Sequence, residues 1–342
     1  MSVLRRSALV ASLALAVLGP LCAGPAAART PDAAPAPRPA ATAAAPAADA
    51  PYDVRHLLRP AKKYLGVSRP QAPNSMEPVR DFGRMVGKQP NLVVYYAGWG
   101  HGFDATGVRN AWREGALTIV SWEPRGTTLA AVAAGRTDDY VRKYAESVRR
   151  LNLPIAISFA DEMNGDWEEW GTKFATPREY VAAWKRLRAI FDEVGATNVI
   201  WTWSPNIVRP VDRARIALKP FYPGDDQVDW VGIVGYFTDW DPHTFQGLFG
   251  PTLDELRPFT RKPMVILETA SMPGDRRAGH VKELCDGVTA SPDIVGFSWF
   301  DYDARADWRL AGDRPGTEAF RRCAARDVFG FDVRDARAPR RG

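Results

Sequence analysis

Residues 177–203 read PREYVAAWKRLRAIFDEVGATNVIWTW. Pro177, in the first turn after Thr176, is a cap-and-start signal for a helix. Tyr180, Trp184, Leu187, Phe191 and Val194 then recur at three- and four-residue spacing, which gives the helix one apolar face. Gly195 closes it. Val199–Trp203 follows as an unbroken apolar run, the pattern of a strand buried on both faces. A one-faced helix delivered into a two-faced strand is the unit of an α/β protein.

The same unit recurs on either side. Short apolar runs stand at Tyr64–Ser68, Leu92–Ala97, Leu117–Trp122, Ile155–Phe159, Val199–Trp203, Trp230–Tyr236, Met264–Glu268 and Val295–Trp299. Helical stretches lie between them; Asp138–Leu151 has an apolar face in Val141, Tyr144, Val148 and Leu151. Eight strands alternating with helices predict an α/β fold of the (β/α)8 TIM-barrel type, a single catalytic domain over 53–331. An open doubly wound sheet wants a glycine-rich nucleotide loop after its first strand, and Gly66-Val67-Ser68-Arg69-Pro70 is not one.

The flanks differ in composition. Arg5 and Arg6, the apolar run Ser7–Leu18 and Ala26-Ala27-Ala28 read as a secretory signal peptide over 1–28. The apolar run is too short to span a bilayer. Leu21 before Cys22 speaks against a lipidated cysteine. Residues 29–52, almost all Ala, Pro and Thr, read as a disordered linker, and 332–342 as a flexible basic tail. The protein is therefore expected to be secreted and extracellular, with no membrane association after signal cleavage. Export permits a disulfide, and a Cys285–Cys323 bridge pinning the last helix is expected.

The formal charge of +5 resolves on inspection. Arg5 and Arg6 in the leader, and four arginines against two aspartates after Phe331, hold most of it. The body is nearly neutral, which argues against nucleic acid as a partner. The four histidines, His56, His101, His243 and His280, show no ligand spacing, so no metal and no cofactor are expected. No GxSxG elbow occurs.

In such a barrel the site is built where strands end. Trp122-Glu123 follow the third run and Asp161-Glu162-Met163-Asn164-Gly165-Asp166-Trp167 the fourth. Ser204-Pro205-Asn206 follow the fifth. The sixth ends at Tyr236, the seventh at Glu268 and the eighth at Trp299-Phe300-Asp301. Carboxylates and aromatic rings thus converge on one face. Paired carboxylates cleave glycosidic bonds and aromatic rings stack on sugars.

The run Phe159–Trp167, followed by Trp170-Gly171, resembles the acid/base motif of glycoside hydrolase family 26, which includes β-mannanases and some β-glucan and β-1,3-xylan hydrolases. Trp201–Asn206, Tyr222–Asp226 with Val228–Gly232 and Gly235-Tyr236, and Lys262-Pro263 with Ile266–Thr269 are similar to the family's fifth, sixth and seventh strand regions. The resemblance spans about Tyr64 to Phe320. It implies a retaining, endo-acting β-glycoside hydrolase of clan A, a monomer acting on a polysaccharide such as β-mannan or a related β-glucan or xylan. Glu162 would be the acid/base and Glu268 the nucleophile, with carboxyl groups roughly 5–5.5 Å apart. Tyr236 would hold Glu268, and Trp299 would floor the sugar subsite. Asp161, Asn164, Trp167 and Trp122 are further candidates for substrate contact. Two positions depart from the family: Asp161 stands where His is usual, and Val234 where Asp is frequent. Asp161 would either grip a sugar hydroxyl pair as an anion or raise the pKa of Glu162. A catalytically silent polysaccharide-binding protein is the alternative, and the presence of both glutamates favours the enzyme.

Overall fold

The computed structural model describes residues 51–208 and 216–336. The leader at 1–28, most of the linker and the end of the tail lie outside them. Eight strands form: β1 (Tyr64–Ser68), β2 (Leu92–Gly98), β3 (Leu117–Glu123), β4 (Ile155–Phe159), β5 (Val199–Trp203), β6 (Trp230–Val234), β7 (Met264–Thr269) and β8 (Ile294–Phe300). Each pairs in parallel with the next, and β8 pairs with β1, closing a (β/α)8 barrel. The sixth strand stops at Val234, two residues short of the Tyr236 end read from the sequence.

A short helix α1 (Arg55–Leu58) precedes the barrel. Around it run α2 (Glu77–Val86), α3 (Ala105–Arg113), α4 (Leu129–Ala133), α5 (Asp138–Leu151), α6 (Pro177–Val194), α7 (Phe245–Leu256), α8 (Arg277–Ala290) and α9 (Arg314–Ala324). Between β5 and β6 the described residues hold only a 3-10 turn at Lys219–Phe221. Helix α6 starts with a capping box, in which the Thr176 hydroxyl accepts from the Glu179 amide and the Glu179 carboxylate accepts from the Thr176 amide. It stops at Gly195, whose φ of 76° favours a residue without a Cβ.

Strand alternation sorts the core into two layers. Leu92 and Val94 of β2, Leu117 and Ile119 of β3, and Ile200 of β5 point inward. Their neighbours Val93, Val120 and Trp201 face the helices. The inner layer is sealed at the strands' N-terminal end by Leu57 of α1 and by Val333. Tyr64 donates to the Leu57 carbonyl at 2.9 Å, and Trp230 to the Leu58 carbonyl at 3.0 Å.

Two extra residues, seen as three register shifts, break the alternation. Ile233 pairs with Ile266 but Val234 with Glu268, so one residue is extra in β7. Met264 pairs with Ile294 but Ile266 with Phe297, so one is extra in β8. A one-residue slip exchanges the faces of everything beyond it.

Packing also runs past the boundary read at 331. The Val333 amide donates to the Gly115 carbonyl at 3.0 Å and its side chain is buried, so residues 332–336 belong to the barrel. At the other end Tyr52, assigned to the linker, donates its amide to Asn152 Oδ1 at 2.8 Å.

Cys285 of α8 and Cys323 of α9 are joined, with Cα atoms 5.8 Å apart and a separation of 38 positions in sequence. Closing a loop of that length restricts the unfolded chain, worth about 2–4 kcal/mol. Replacing both cysteines by serine should lower Tm by about 5–10 °C in circular dichroism melts. A variant that melts with the wild type would mean the bridge contributes nothing.

Candidate active site

The C-terminal ends of the strands open onto a cavity of about 550 Å³. Its position follows from the inward set of each strand, whose large residues lie low and whose polar residues lie high. Tyr96 continues the inward line of Leu92 and Val94, and Glu123 continues that of Leu117 and Ile119. Both line the cavity, with Asp161, Glu162 and Glu268.

The end of β4 is strained. Ala160 and Glu162 have φ of 49° and 55°, in the left-handed region that residues with a Cβ seldom occupy. Backbone bonds hold the turn: the Ala160 amide donates to the Trp122 carbonyl at 3.1 Å, and the Glu162 amide to the Ser204 carbonyl at 2.7 Å. The turn sends the side chains of Asp161 and Glu162, adjacent in sequence, into one cavity.

Glu162 accepts from two donors, Asn206 Nδ2 on Oε1 and Trp167 Nε1 on Oε2 at 3.1 Å. Glu268 also accepts from two, the hydroxyls of Tyr236 on Oε1 and Tyr96 on Oε2. Glu268 follows Leu267, which packs in the inner layer. Two consecutive inward residues are what the β7 bulge permits. Burial pushes both glutamates up to about 7. For Glu162 the charge on Glu268 adds to burial, and the Trp167 and Asn206 hydrogen bonds oppose it. Burial, then the Glu268 charge, pushes both phenols well above their ordinary values, so they remain donors.

Asp161 is only 8% exposed. Ser121 Oγ donates to its Oδ1 at 2.5 Å, and Trp170 Nε1 to its carbonyl at 2.6 Å. Burial first, then the neighbouring charge of Glu162, lifts it to about 8. At neutral pH it is therefore mostly a neutral acid with an O–H to donate, not the anion expected from the sequence.

A cation organises the flank. Arg125 pairs with Glu123 at 2.8 Å and with Glu168 at 2.9 Å. Its guanidinium lies over the Trp170 ring, 5.1 Å from the centroid. The same tryptophan holds the Asp161 carbonyl, so one arginine ties the β3 and β4 loops together.

Of the residues singled out in the sequence, Glu162, Glu268, Asp161, Trp167 and Tyr236 meet at the cavity. Asn164 bonds the backbone of Asn206 through both ends of its amide, at 2.8 and 2.9 Å, and ties the β4 loop to the end of β5. Two expectations are corrected. Trp122 is fully buried, stacked on Tyr144 with its N–H on the Tyr140 hydroxyl, because alternation in β3 turns Ser121 and Glu123 inward and Trp122 outward. Trp299 is fully buried against Phe320 and donates to the Trp308 carbonyl. The β8 bulge turned it outward, and Phe300 and Trp308 line the cavity instead. Sequence reasoning missed Tyr96, and it placed Asn206 at the end of the fifth strand without giving it a role. Tyr96 sits in an apolar run and reads as core, although two-residue alternation from Leu92 would have placed it inside. Among the described residues, no three His, Cys, Asp or Glu side chains converge as metal ligands would.

The raised carboxyls make stability pH-dependent. A carboxyl whose folded value exceeds its unfolded one stabilises the fold when protonated; that contribution is complete below the unfolded value and is lost as pH rises through the folded one. Three such groups place the loss between about pH 4 and pH 8. Wild-type Tm should therefore fall from pH 5 to pH 8. Asp161→Asn, neutral throughout, should make that fall shallower by about 2–4 °C. Parallel Tm curves for the two proteins would mean Asp161 is charged across the range.

Residues 128–252 match the model of Glycosyl hydrolase family 26. Endoglucanase H of Acetivibrio thermocellus is 26% identical over 263 residues, covering 71% of this chain and 28% of that protein. A mannan endo-1,4-beta-mannosidase of Bacillus subtilis is 29% identical over 150 residues, 41% of this chain and 38% of the relative. The chain thus spans well under half the length of these curated relatives. Among solved structures, a family 26 beta-mannanase from Bacteroides ovatus superposes with a TM-score of 0.62 at 15% identity, covering 81% of this chain and 92% of the other. A modular endo-beta-1,4-mannanase from Cellulomonas fimi gives 0.62 at 19% identity, covering 83% and 76%. At such identities these structures speak for the fold alone. The family match covers little more than a third of the chain, and over that stretch the chain is similar to glycosyl hydrolase family 26.

Proposed function

We propose that this protein is a retaining, endo-acting β-glycoside hydrolase in which Glu162 is the general acid/base and Glu268 the nucleophile. The observation that carries this reading is the pair of glutamates at the ends of β4 and β7. They line one cavity, and each is gripped on both oxygens by neutral donors. The pair titrates as a unit, and a single shared proton is the working state. Phenol hydroxyls are stronger donors than an amide or indole N–H, so the negative charge rests on Glu268 and the proton on Glu162. Glu162 then protonates the leaving oxygen while Glu268 attacks the anomeric carbon. In the second step Glu162, now a base, takes a proton from the water that displaces Glu268. The neutral Asp161 beside them donates to a sugar hydroxyl without adding a second negative charge.

The names of the relatives support a polysaccharide of the β-glucan or β-mannan class, and mixed-linkage β-glucan and mannan are the substrates to assay first. Export is also proposed; the leader pattern of Arg5, Arg6 and Ala26-Ala27-Ala28 and the disulfide support it. A mature N-terminus near Arg29 in culture medium is the expected result, and an intact Met1 would overturn it.

Glu268→Ala should abolish turnover, and azide should restore part of it with inverted product. Wild-type product should keep its anomeric configuration by NMR; inversion there would sink the assignment. Glu162→Ala should lower kcat/KM by about 10²–10⁴-fold on unactivated substrate. Trp167→Phe removes a hydrogen bond that lowers the pKa of Glu162, so the basic limb of the pH–rate profile should move to higher pH. A shift to lower pH would place the working proton elsewhere.

A further inference from the structure

The loop after β8 is a hairpin. Asp303 and Asp307 form an antiparallel bridge across it, and the Trp308 amide donates to the Tyr302 carbonyl at 2.9 Å. Arg309 locks it by pairing with Asp303 at 3.0 Å and with Asp307 at 2.7 Å. The hairpin is anchored from below. Arg277, which is 2% exposed, donates to the carbonyls of Arg309 and Asp307 at 2.7 and 2.6 Å. The fully buried Asp301 accepts from the Leu310 amide at 2.8 Å. The tip, Ala304-Arg305-Ala306, lines the cavity.

Around this face the arginines are committed. Arg69 pairs with Asp301, Arg125 with Glu123 and Glu168, Arg277 with Asp313 and Arg309 with two aspartates. Arg305 makes no ion pair, although five carboxyl groups share its cavity. It is the one cation among the described residues of the wall. A fixed hairpin thus carries an uncommitted guanidinium to the rim of the cleft, flanked by small side chains that leave it accessible. A guanidinium presents a planar fork of donors that matches a carboxylate bidentately.

We infer that Arg305 forms a subsite for a carboxylate on the glycan, so that the preferred substrate is an acidic β-glycan carrying uronic acid units. This rests on the reading of the cavity as a glycan cleft. On the β3 and β4 side of the cleft Glu123 and Glu168 share the single cation Arg125, which leaves that side acidic, and the β8 hairpin attracts such a group. The charge distribution therefore also fixes which way along the cleft the acidic unit lies.

The test uses full-length protein carrying Glu268→Gln, which blocks turnover, and β-1,4-gluco- and manno-oligosaccharides before and after oxidation of their C6 hydroxyls to carboxylates. Calorimetry should show about tenfold tighter binding of an oxidised form over its neutral parent. The preference should shrink in 0.5 M salt and vanish on adding Arg305→Gln, with the neutral parent bound as before. Equal affinity for the two forms, binding of neither, or a preference that survives Arg305→Gln overturns the inference. Hydrolysis of the neutral parents by wild type is measured separately. If neither these nor the oxidised forms are cleaved while the carboxylate preference holds, the proposed activity fails and the subsite stands.

Discussion

Repulsion between Glu162 and Glu268 is the constraint that orders the upper half of this barrel. Two carboxyl groups facing one partly dry cavity cannot both carry charge at neutral pH without a large cost. The surroundings supply neutral donors in place of cations. Two phenols hold Glu268, and an amide and an indole hold Glu162. A cation in direct contact would have held both groups ionised. Neutral donors leave room for one proton to be kept, which the proposed acid/base role requires. The third carboxyl, Asp161, meets the same constraint by taking a proton and bonding a serine hydroxyl.

Holding acids in such a place demands local distortion. The left-handed residues Ala160 and Glu162 are a cost that the backbone bonds to Trp122 and Ser204 offset. The β7 bulge does for Glu268 what that turn does for Glu162, taking a side chain that alternation would point at the helices and bringing it into the cavity. The β8 bulge has the opposite consequence for Trp299, and the aromatic wall passes to Phe300 and Trp308. The β4 turn and the β7 bulge lie near the upper ends of their strands, whereas the β8 bulge lies near the strand's start, between Ile294 and Phe297.

Cations are present, one step removed. Arg125 neutralises Glu123 and Glu168 and presses on Trp170, so it limits the negative field on Glu162 without touching it. Arg277 and Arg309 fix the β8 hairpin. The site is thus built in shells: neutral donors on Glu162 and Glu268, ion pairs behind them, and Arg305 at the rim.

The eight apolar runs and the helix signals at Thr176-Pro177 and Gly195 were legible because burial on two faces and helix capping are local properties of a chain. The candidate acids were legible for a related reason: a carboxylate that ends an apolar run is costly to bury and needs a reason to be there. What the sequence by itself determined is therefore the alternation of elements, the barrel and the glutamates at the ends of its fourth and seventh strands. The tertiary structure decided which neighbours face the cavity and in what protonation state. One extra residue in β7 and one in β8 exchange inside for outside, and no local pattern marks them. The charge of Asp161 depends on burial and on carboxyls brought from other strands, a sum over the whole cavity that adjacent residues do not carry.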